Sequence, residues 1–312
     1  MKRYRLARVI GSLAAGAMVL GMIPASRATA ARAGAVAVMT GGRFAYTGQP
    51  GDSLWLVGAR LGVDALTLAA LNQIDLNARL RVGQTILIDN RHLIPDRHQT
   101  AIVINIPQRL LFHTDTDGEV SAYPVGLGRP TWPTFVGTFQ IASLETDPVW
   151  DVPRSIQEEL RRSGKPVVTH VAPGPNNPLG AFWIGLDRPG YGIHGTNAPA
   201  SIYHFQTHGC IRLHPDDVAL LFRAVAVGTT GEIVYQPILL ARSDDGTIWL
   251  EAHPDVYRRS PDALATVREL AGQEEFEADM DWQIVRSVLR ARQGAPIDVT
   301  LRGAESHLER RR

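Results

Sequence analysis

Short apolar runs separated by turn residues dominate the chain between residues 100 and 236. These runs are rich in β-branched residues and predict strands over residues 101–106, 109–113, 120–125, 137–141, 181–186, 191–194 and 232–235. Strands that recur in this way, with turn signals between them, are typical of a sandwich or a barrel. Helical patterns occur at 153–162 and 216–227, and the Pro- and Asn-rich stretch 173–180 predicts an ordered loop. The pattern predicts an α+β fold that is mainly β.

Residues 44–90 form a smaller unit whose pattern predicts a strand, two helices and a second strand. Asp52 or Ser53 can cap the first helix, because a short polar side chain accepts hydrogen bonds from the free N–H groups of the first turn. Gly62 ends that helix, and Asp64 begins the second. The unit is therefore predicted to be a compact βααβ module.

The remaining segments connect and extend these two units. Residues 31–43 are small and predict a flexible leader, and the polar stretch 90–99 predicts a linker. Beyond residue 236, a hairpin is predicted over 237–252, with two helices near 261–271 and 279–292.

The N-terminus predicts an export signal. A basic start precedes the apolar stretch 9–23, and Ala28-Thr29-Ala30 then provides a small-x-small cleavage site. The apolar stretch is short for a membrane-spanning helix, which needs roughly 20 residues. An uncleaved membrane anchor is the alternative interpretation.

The overall charge gives no indication of a nucleic-acid partner. The 32 Lys and Arg residues are balanced by 31 Asp and Glu residues, whereas proteins that bind nucleic acids usually carry a basic excess. An exported protein with a single cysteine also has no internal disulfide. Cys210 is that single cysteine, and it is inert and buried, joined to another molecule, or reactive.

The surroundings of Cys210 favour a reactive thiol. His208 precedes it by two residues and His194 by sixteen, and an adjacent imidazole is the common means of making a thiolate. On an extended strand, His208 and Arg212 would share the face of Cys210. Gly195 and Gly209 allow close backbone approach to a substrate, and the N–H groups of Gly209 and Cys210 are candidate oxyanion donors. Either histidine can be the base on this reasoning.

A zinc site is a weaker alternative for the same residues. His194, His208, Cys210 and His214 are suitable ligand types, but their spacing matches no zinc-binding pattern. His214 precedes Pro215 and Asp216 at a predicted helix start, so a capping role is simpler.

Residues 44–90 resemble a LysM module. The resemblance rests on Tyr46, Gly51-Asp52-Ser53-Leu54-Trp55, Leu71-Asn72 and Val82-Gly83-Gln84-Thr85-Ile86-Leu87-Ile88. It implies binding to a glycan that contains N-acetylglucosamine, such as peptidoglycan. A packing module without a ligand is the alternative.

The central stretch resembles the signature of the L,D-transpeptidases, the YkuD-type catalytic domain. His194 is followed after twelve residues by Thr207-His208-Gly209-Cys210-Ile211-Arg212. One departure is Thr134-Phe135-Val136-Gly137, where the family often has Thr-Pro-x-Gly. The resemblance implies a β-sandwich-like domain that needs no cofactor or metal.

The resemblance also implies roles for the site residues. Cys210 would be the nucleophile, and His194 would act as general base and acid, oriented by the carbonyl of Gly195. His208 would line the site together with Gly209, and Arg212 would support the substrate or a loop. The thiolate would attack the bond between diaminopimelate and D-alanine in a peptidoglycan stem peptide. An amine of another stem peptide, or of an outer-membrane lipoprotein lysine, would then take the acyl group.

The expected organisation is a signal peptide at 1–30, a LysM module at 44–90, a catalytic domain at 100–236 and a C-terminal extension at 237–312. The expected location is the periplasm. Two alternatives stay open at this stage: a hydrolase that uses water as the acceptor, either an L,D-carboxypeptidase or an amidase that releases wall-bound lipoprotein, and a wall-binding protein without catalysis.

Overall fold

The computed structural model describes residues 38–95, 100–260 and 262–302. The predicted export signal at 1–30 lies outside the described residues, as does the tail from residue 303 onwards. Within the described ranges, no single helix is both long and apolar enough to cross a membrane.

The N-terminal module has the predicted order of strand, helix, helix and strand. Its elements are β2 (Arg43–Thr47), α1 (Leu54–Leu61), α2 (Ala65–Asn72) and β3 (Thr85–Asp89), and the short strands β1 (Met39–Thr40) and β4 (His92–Leu93) flank it. Ser53 caps α1 and Asp64 caps α2, each through a side-chain oxygen that accepts a backbone N–H. Gly62 ends α1 in the left-handed conformation that glycine adopts without strain. The capping residues read from the sequence are confirmed.

Two expectations for the flanks of this module are wrong. The leader predicted over 31–43 and the linker predicted over 90–99 are wrong where the structure describes them, at 38–43 and 90–95, because β1 and β4 pair with each other, Met39 with Leu93 and Thr40 with His92. Both residues of β4 are buried. Two-residue strands leave almost no periodicity, so the sequence pattern could not predict this pairing.

The central domain consists mainly of strands. They are β5 (Ile102–Asn105), β6 (Leu110–Thr114), β7 (Val120–Gly128), β8 (Gly137–Thr146), β9 (Trp150–Asp151), β10 (His170–Val171), β11 (Phe182–Leu186), β12 (Gly192–His194), β13 (Phe205–Thr207), β14 (Ile211–Leu213) and β15 (Thr230–Val234). Two helices accompany them, α3 (Arg154–Arg162) and α4 (Pro215–Ala224). The strands and helices read from the apolar runs are confirmed.

Two long strands, β7 and β8, each belong to two sheets. Residues 120–124 of β7 pair with β6, and residues 125–126 pair with β14. Residues 137–140 of β8 pair with β15, and residues 141–146 pair with β11. One sheet therefore contains β15, β5 and β6, and the other contains β11, β12 and β14. The sandwich-like architecture follows from these two shared strands.

The core of the domain lies between the two sheets. β-Branched side chains from both sheets fill it and are fully buried, among them Ile104, Ile184, Ile193, Ile211 and Ile233. Each such side chain contributes about 1.5–3 kcal/mol relative to an exposed position. Val218 and Leu221 of α4 cover one side of this core. The second sheet, which carries β12 and β14, is thereby fixed against the first.

The C-terminal region forms a unit of its own. It contains β16 (Ile238–Arg242), β17 (Ile248–Ala252), α5 (Ala263–Gln273), α6 (Trp282–Ala291) and β18 (Ile297–Asp298). The predicted hairpin and both helices are confirmed, and the two-residue strand β18 was not predicted. The two helices pack on the three-stranded sheet through a separate apolar core.

A buried carboxylate joins the three parts of the chain. Glu251 of β17 is fully buried and accepts hydrogen bonds from His92 Nδ1 at 2.8 Å, His253 Nε2 at 2.7 Å, Gln108 Nε2 at 3.1 Å and the backbone N–H of Leu93 at 2.6 Å. This cluster is not apparent from the sequence, because its members are far apart along the chain.

His92 carries the positive charge of this cluster. Its Nε2–H donates to the carbonyl of Gly62 at 2.8 Å, so both ring nitrogens act as donors. Burial works against the charged form, but the Glu251 carboxylate outweighs it and raises the pKa of His92. For Glu251, burial is likewise outweighed by the charge of His92 and by donors from both histidines, which lower its pKa to about 2.

We expect Glu251→Gln to destabilise the protein by about 3–5 kcal/mol, because it leaves the buried His92 cation without its counter-ion. The free energy of unfolding should be measured in denaturant at pH 7. The matched control is Glu158→Gln, which removes an exposed carboxylate near Arg162 and should change stability by less than about 0.5 kcal/mol.

The pH dependence has a defined sign. Because the pKa of His92 is raised in the folded protein, its charge stabilises the fold fully below its unfolded pKa of about 6.5. This contribution is lost as pH rises through the pKa of His92 in the folded protein. Equal stability of the two variants at pH 7 would contradict the role given to Glu251.

Candidate active site

The site is organised by two parallel strands, β12 and β14. Their register pairs Ile193 with Ile211 and His194 with Arg212. Side chains alternate along a strand, so the two isoleucines face the core and His194 and Arg212 face the opposite side. Cys210 directly precedes β14 and lies two residues before Arg212. All three polar side chains line one open pocket of about 540 Å³.

Backbone carbonyls hold the imidazole of His194. Its Nδ1 lies 2.7 Å from the carbonyl oxygen of Gly195, which is the contact that the family resemblance implies. With Nδ1–H donating there, Nε2 carries the lone pair that a general base needs. The Trp183 indole stacks on the ring, with centroids 5.8 Å apart.

Two features keep His194 neutral. Burial lowers its pKa, and the nearby charge of Arg212 lowers it further. Hydrogen bonds to the carbonyls of Gly195 and Leu179 oppose this shift only in part, and the pKa is about 3. The imidazole is therefore an unprotonated base at neutral pH.

The Cys210 thiol is also neutral at rest. Burial raises its pKa, while a hydrogen bond from the Gly192 N–H and the charge of Arg212 act in the opposite direction. The sulfur lies 3.5 Å from the carbonyl oxygen of Gly190. Both groups line one pocket, and a neutral thiol has to pass its proton to a base when it attacks.

His208 does not share an extended strand with Cys210, as the sequence analysis considered. β13 ends at Thr207, and Gly209 has a φ of +110°, so the chain turns between the two residues. The Thr207 hydroxyl fixes this turn: it accepts the N–H of Gly209 at 3.1 Å and donates to the carbonyl of Cys210 at 2.6 Å. The Gly209 N–H donates to this hydroxyl in the structure, and its role as an oxyanion donor stays a prediction.

His208 instead belongs to a charged cluster at the edge of the pocket. Its Nε2–H donates to the Glu159 carboxylate at 2.6 Å, and its ring makes an edge contact with Trp132. Arg129 donates to the same carboxylate at 2.8 Å. Hydrogen bonds from Arg129 and then from His208 lower the pKa of Glu159 to about 2. Sequence reasoning missed Glu159, because nothing in the helical pattern of α3 marks it.

Arg212 is a half-buried cation without an acidic partner. It forms no ion pair within the described residues, and its Nη1 donates a hydrogen bond to the hydroxyl of Ser201 at 3.4 Å. Its Nε is buried without a hydrogen-bond partner. Such a group attracts an anionic ligand group, because desolvating an unpaired charge is costly.

The zinc alternative for these residues lacks support in the geometry. His214 caps α4 by accepting the Asp216 N–H, as the simpler interpretation predicted. Within the described ranges, three metal-ligating side chains come together only at His92, Glu251 and His253. Both nitrogens of His92 already donate to oxygen atoms, so it offers no lone pair to a metal.

A thiol, a neutral imidazole base and an unpaired cation in one open pocket on a β framework define a site for acyl transfer. Comparisons with known proteins agree with this class. Residues 99–234 match the model of the YkuD L,D-transpeptidase catalytic domain, and residues 46–89 match that of the LysM domain.

Full-length relatives are similar as well. The probable L,D-transpeptidase ErfK/SrfK of Salmonella typhimurium is 30% identical over 230 residues, which cover 70% of this chain and 73% of that protein. The probable L,D-transpeptidase YcfS of Escherichia coli is 29% identical over 268 residues, covering 82% and 83%. The chain belongs to the L,D-transpeptidase family.

Solved structures of the same family are similar over a smaller part. L,D-transpeptidase 1 of Mycobacterium tuberculosis shares 27% identity, with a TM-score of 0.30 over 43% of this chain and 61% of that one.

The pKa directions predict how the thiol reacts. Alkylation of Cys210 by iodoacetamide should rise with pH, with a midpoint above the ordinary thiol pKa of about 8.5 and no step near pH 6.5. Because the chain has one cysteine, mass spectrometry of the intact protein reports it directly. An alkylation rate that is already high and independent of pH at about pH 6–7 would instead show a preformed thiolate. It would contradict the neutral forms given to Cys210 and His194.

The charge of Arg212 lowers both pKa values, so Arg212→Gln should raise both. The His194 titration, followed by NMR and assigned with His194→Asn, should move up from about 3. The alkylation midpoint should also move to higher pH. Arg223→Gln, on the last turn of α4, is the control and should leave both unchanged. Unchanged titrations in Arg212→Gln would refute the electrostatic coupling.

Proposed function

We propose that the protein is a peptidoglycan L,D-transpeptidase with Cys210 as its nucleophile. The observation that carries the proposal is the register of β12 against β14, with His194 beside Arg212 and Cys210 on the same face. This arrangement supplies a nucleophile, an oriented base and a cation within one pocket, which are the groups that acyl transfer from a peptide carrying a terminal carboxylate requires.

The first half of the reaction forms a thioester. The Cys210 sulfur attacks the carbonyl carbon between diaminopimelate and D-alanine, while the thiol proton moves to Nε2 of His194. The new C–S bond forms as the carbonyl oxygen becomes an oxyanion. Collapse then breaks the C–N bond, and the proton on His194 passes to the departing amine of D-alanine.

The second half transfers the acyl group to an amine. The acceptor nitrogen attacks the thioester, His194 takes a proton from that nitrogen, and the C–S bond breaks to return the Cys210 thiolate, which regains the proton. The acceptor is the side-chain amine of a second stem peptide, which gives a cross-link between two diaminopimelate residues. A lipoprotein lysine in the same position would attach that protein to the wall.

The other site residues support these steps. The carbonyl of Gly195 fixes the tautomer of His194, and Arg212 attracts the carboxylate of the departing D-alanine. His208, held by Glu159, shapes the pocket wall. Gly209 permits the turn before the thiol, since a side chain there would be strained at a φ of +110° and would lie 3.0 Å from the Tyr191 ring.

The N-terminal module adds wall binding to this activity. We assign residues 44–90 as a module that binds peptidoglycan glycan, residues 100–236 as the catalytic domain and residues 237–312 as its extension. An export signal at 1–30 would deliver the protein to the periplasm, where this substrate is found.

The test is incubation of the mature protein with disaccharide-tetrapeptide, with products read by mass spectrometry. Cross-linked dimer is expected from the wild type and none from Cys210→Ala. His194→Ala should lower turnover by about 10²–10⁴-fold, which is the usual contribution of a general base. The matched control is His170→Ala, on an exposed strand outside the pocket, which should retain activity.

The other outcomes are equally informative. Tripeptide without dimer would identify a hydrolase, and no turnover with intact binding to sacculi would identify a wall-binding protein without catalysis. Retained activity in His194→Ala together with its loss in His208→Ala would reassign the base.

A further inference from the structure

A row of four side chains crosses the floor of the pocket. Strand register places Glu145 of β8 opposite Trp183 of β11, Trp183 opposite His194 of β12, and His194 opposite Arg212 of β14. Residues directly opposite each other share a face of the sheet, and all four side chains line the pocket that contains Cys210. The row is therefore a continuous surface under the reacting atoms.

The two ends of this row carry opposite charges. Arg212 is the cationic end and lies beside the thiol, while the Glu145 carboxylate is the anionic end. Adjacent strands lie about 4.8 Å apart, so the two backbone positions are separated by roughly 14 Å. Glu145 accepts a hydrogen bond from Ser143 at 3.1 Å and has no cationic partner within the described residues.

The other charged groups of the pocket do not mask this polarity. Glu159, at the edge of the pocket, is paired with Arg129 and hydrogen-bonded to His208. Asp151 also lines the pocket and adds negative charge to it. The pocket thus favours a ligand with an anionic group near the thiol and a cationic group on the other side of the imidazole.

We propose that Glu145 is a specificity-determining residue that holds the side-chain ammonium group of the acyl donor. The inference rests on the proposed function and adds the charge of the donor residue to it. With the terminal carboxylate near Arg212 and the scissile carbonyl at Cys210, the donor side chain extends over Trp183 towards Glu145. The Trp183 indole offers this ammonium group an aromatic surface beside the carboxylate.

The dimensions agree with a diamino acid in this position. Its terminal nitrogen lies about 5–6 Å from its α-carbon, and the D-alanine carboxylate extends roughly 5 Å in the other direction. Flexible Glu and Arg side chains bridge the remaining distance from the strands. Lysine meets this requirement, and so does diaminopimelate through the ammonium group at its far end, which shares its carbon atom with a carboxylate; an uncharged residue of the same length does not.

The experiment compares two donor peptides in wild type and Glu145→Gln. One is the tetrapeptide with a free diaminopimelate side-chain amine, and the other carries an acetyl group on that amine. We follow release of D-alanine and take kcat/KM. Wild type should prefer the free amine by at least tenfold, and Glu145→Gln should lose about tenfold on the free amine while changing less than twofold on the acetylated peptide. Glu158→Gln, an exposed carboxylate outside the pocket, should match wild type.

Several results would overturn the proposal. These are an equal loss on both peptides, an unchanged preference in Glu145→Gln, or no preference in wild type. Glu145→Gln could also release D-alanine at the wild-type rate and yet change the ratio of cross-linked to hydrolysed product. That result would place Glu145 at the acceptor instead. If neither peptide acylates Cys210 in wild type, the proposed function itself fails, which is a different result from loss of discrimination.

Discussion

The parallel pairing of β12 with β14 is the constraint on which the site depends. It places His194 beside Arg212 and brings Cys210 to the same face, although sixteen residues separate the histidine from the cysteine. The buried isoleucines on the opposite face fix this register, since a shift by one residue would turn the polar side chains into the core. The packing of the sandwich therefore determines the geometry of the chemistry.

Electrostatics in the pocket follow from the same register. Arg212 lies beside the imidazole and close to the thiol, so it disfavours the imidazolium and favours the thiolate. Burial outweighs its effect on the thiol, and both groups rest in their neutral forms. A site of this kind becomes reactive when substrate allows the proton transfer, rather than by storing a permanent ion pair.

Much of the fold could be predicted from sequence, because its signals are local. The caps at Ser53 and Asp64, and the strands of the central domain, follow from residue type and periodicity over a few positions. The register of β12 on β14, the contact of Glu159 with His208 and the cluster around Glu251 could not be predicted. They depend on which strands become neighbours, and no local pattern carries that information. At Gly209 a local pattern was misleading, because side chains two residues apart share a face only on an uninterrupted strand. The turn there separates His208 from Cys210.

The cluster around Glu251 also bears on how this protein can be divided. Its hydrogen bonds come from β4 beside the N-terminal module, from the central domain and from β17 of the C-terminal extension. A boundary placed between these parts exposes a carboxylate and two histidines that were never solvated in the folded state. The LysM module and the C-terminal region are thus not interchangeable attachments, and a chimeric protein would have to exchange β4, Gln108 and β17 together.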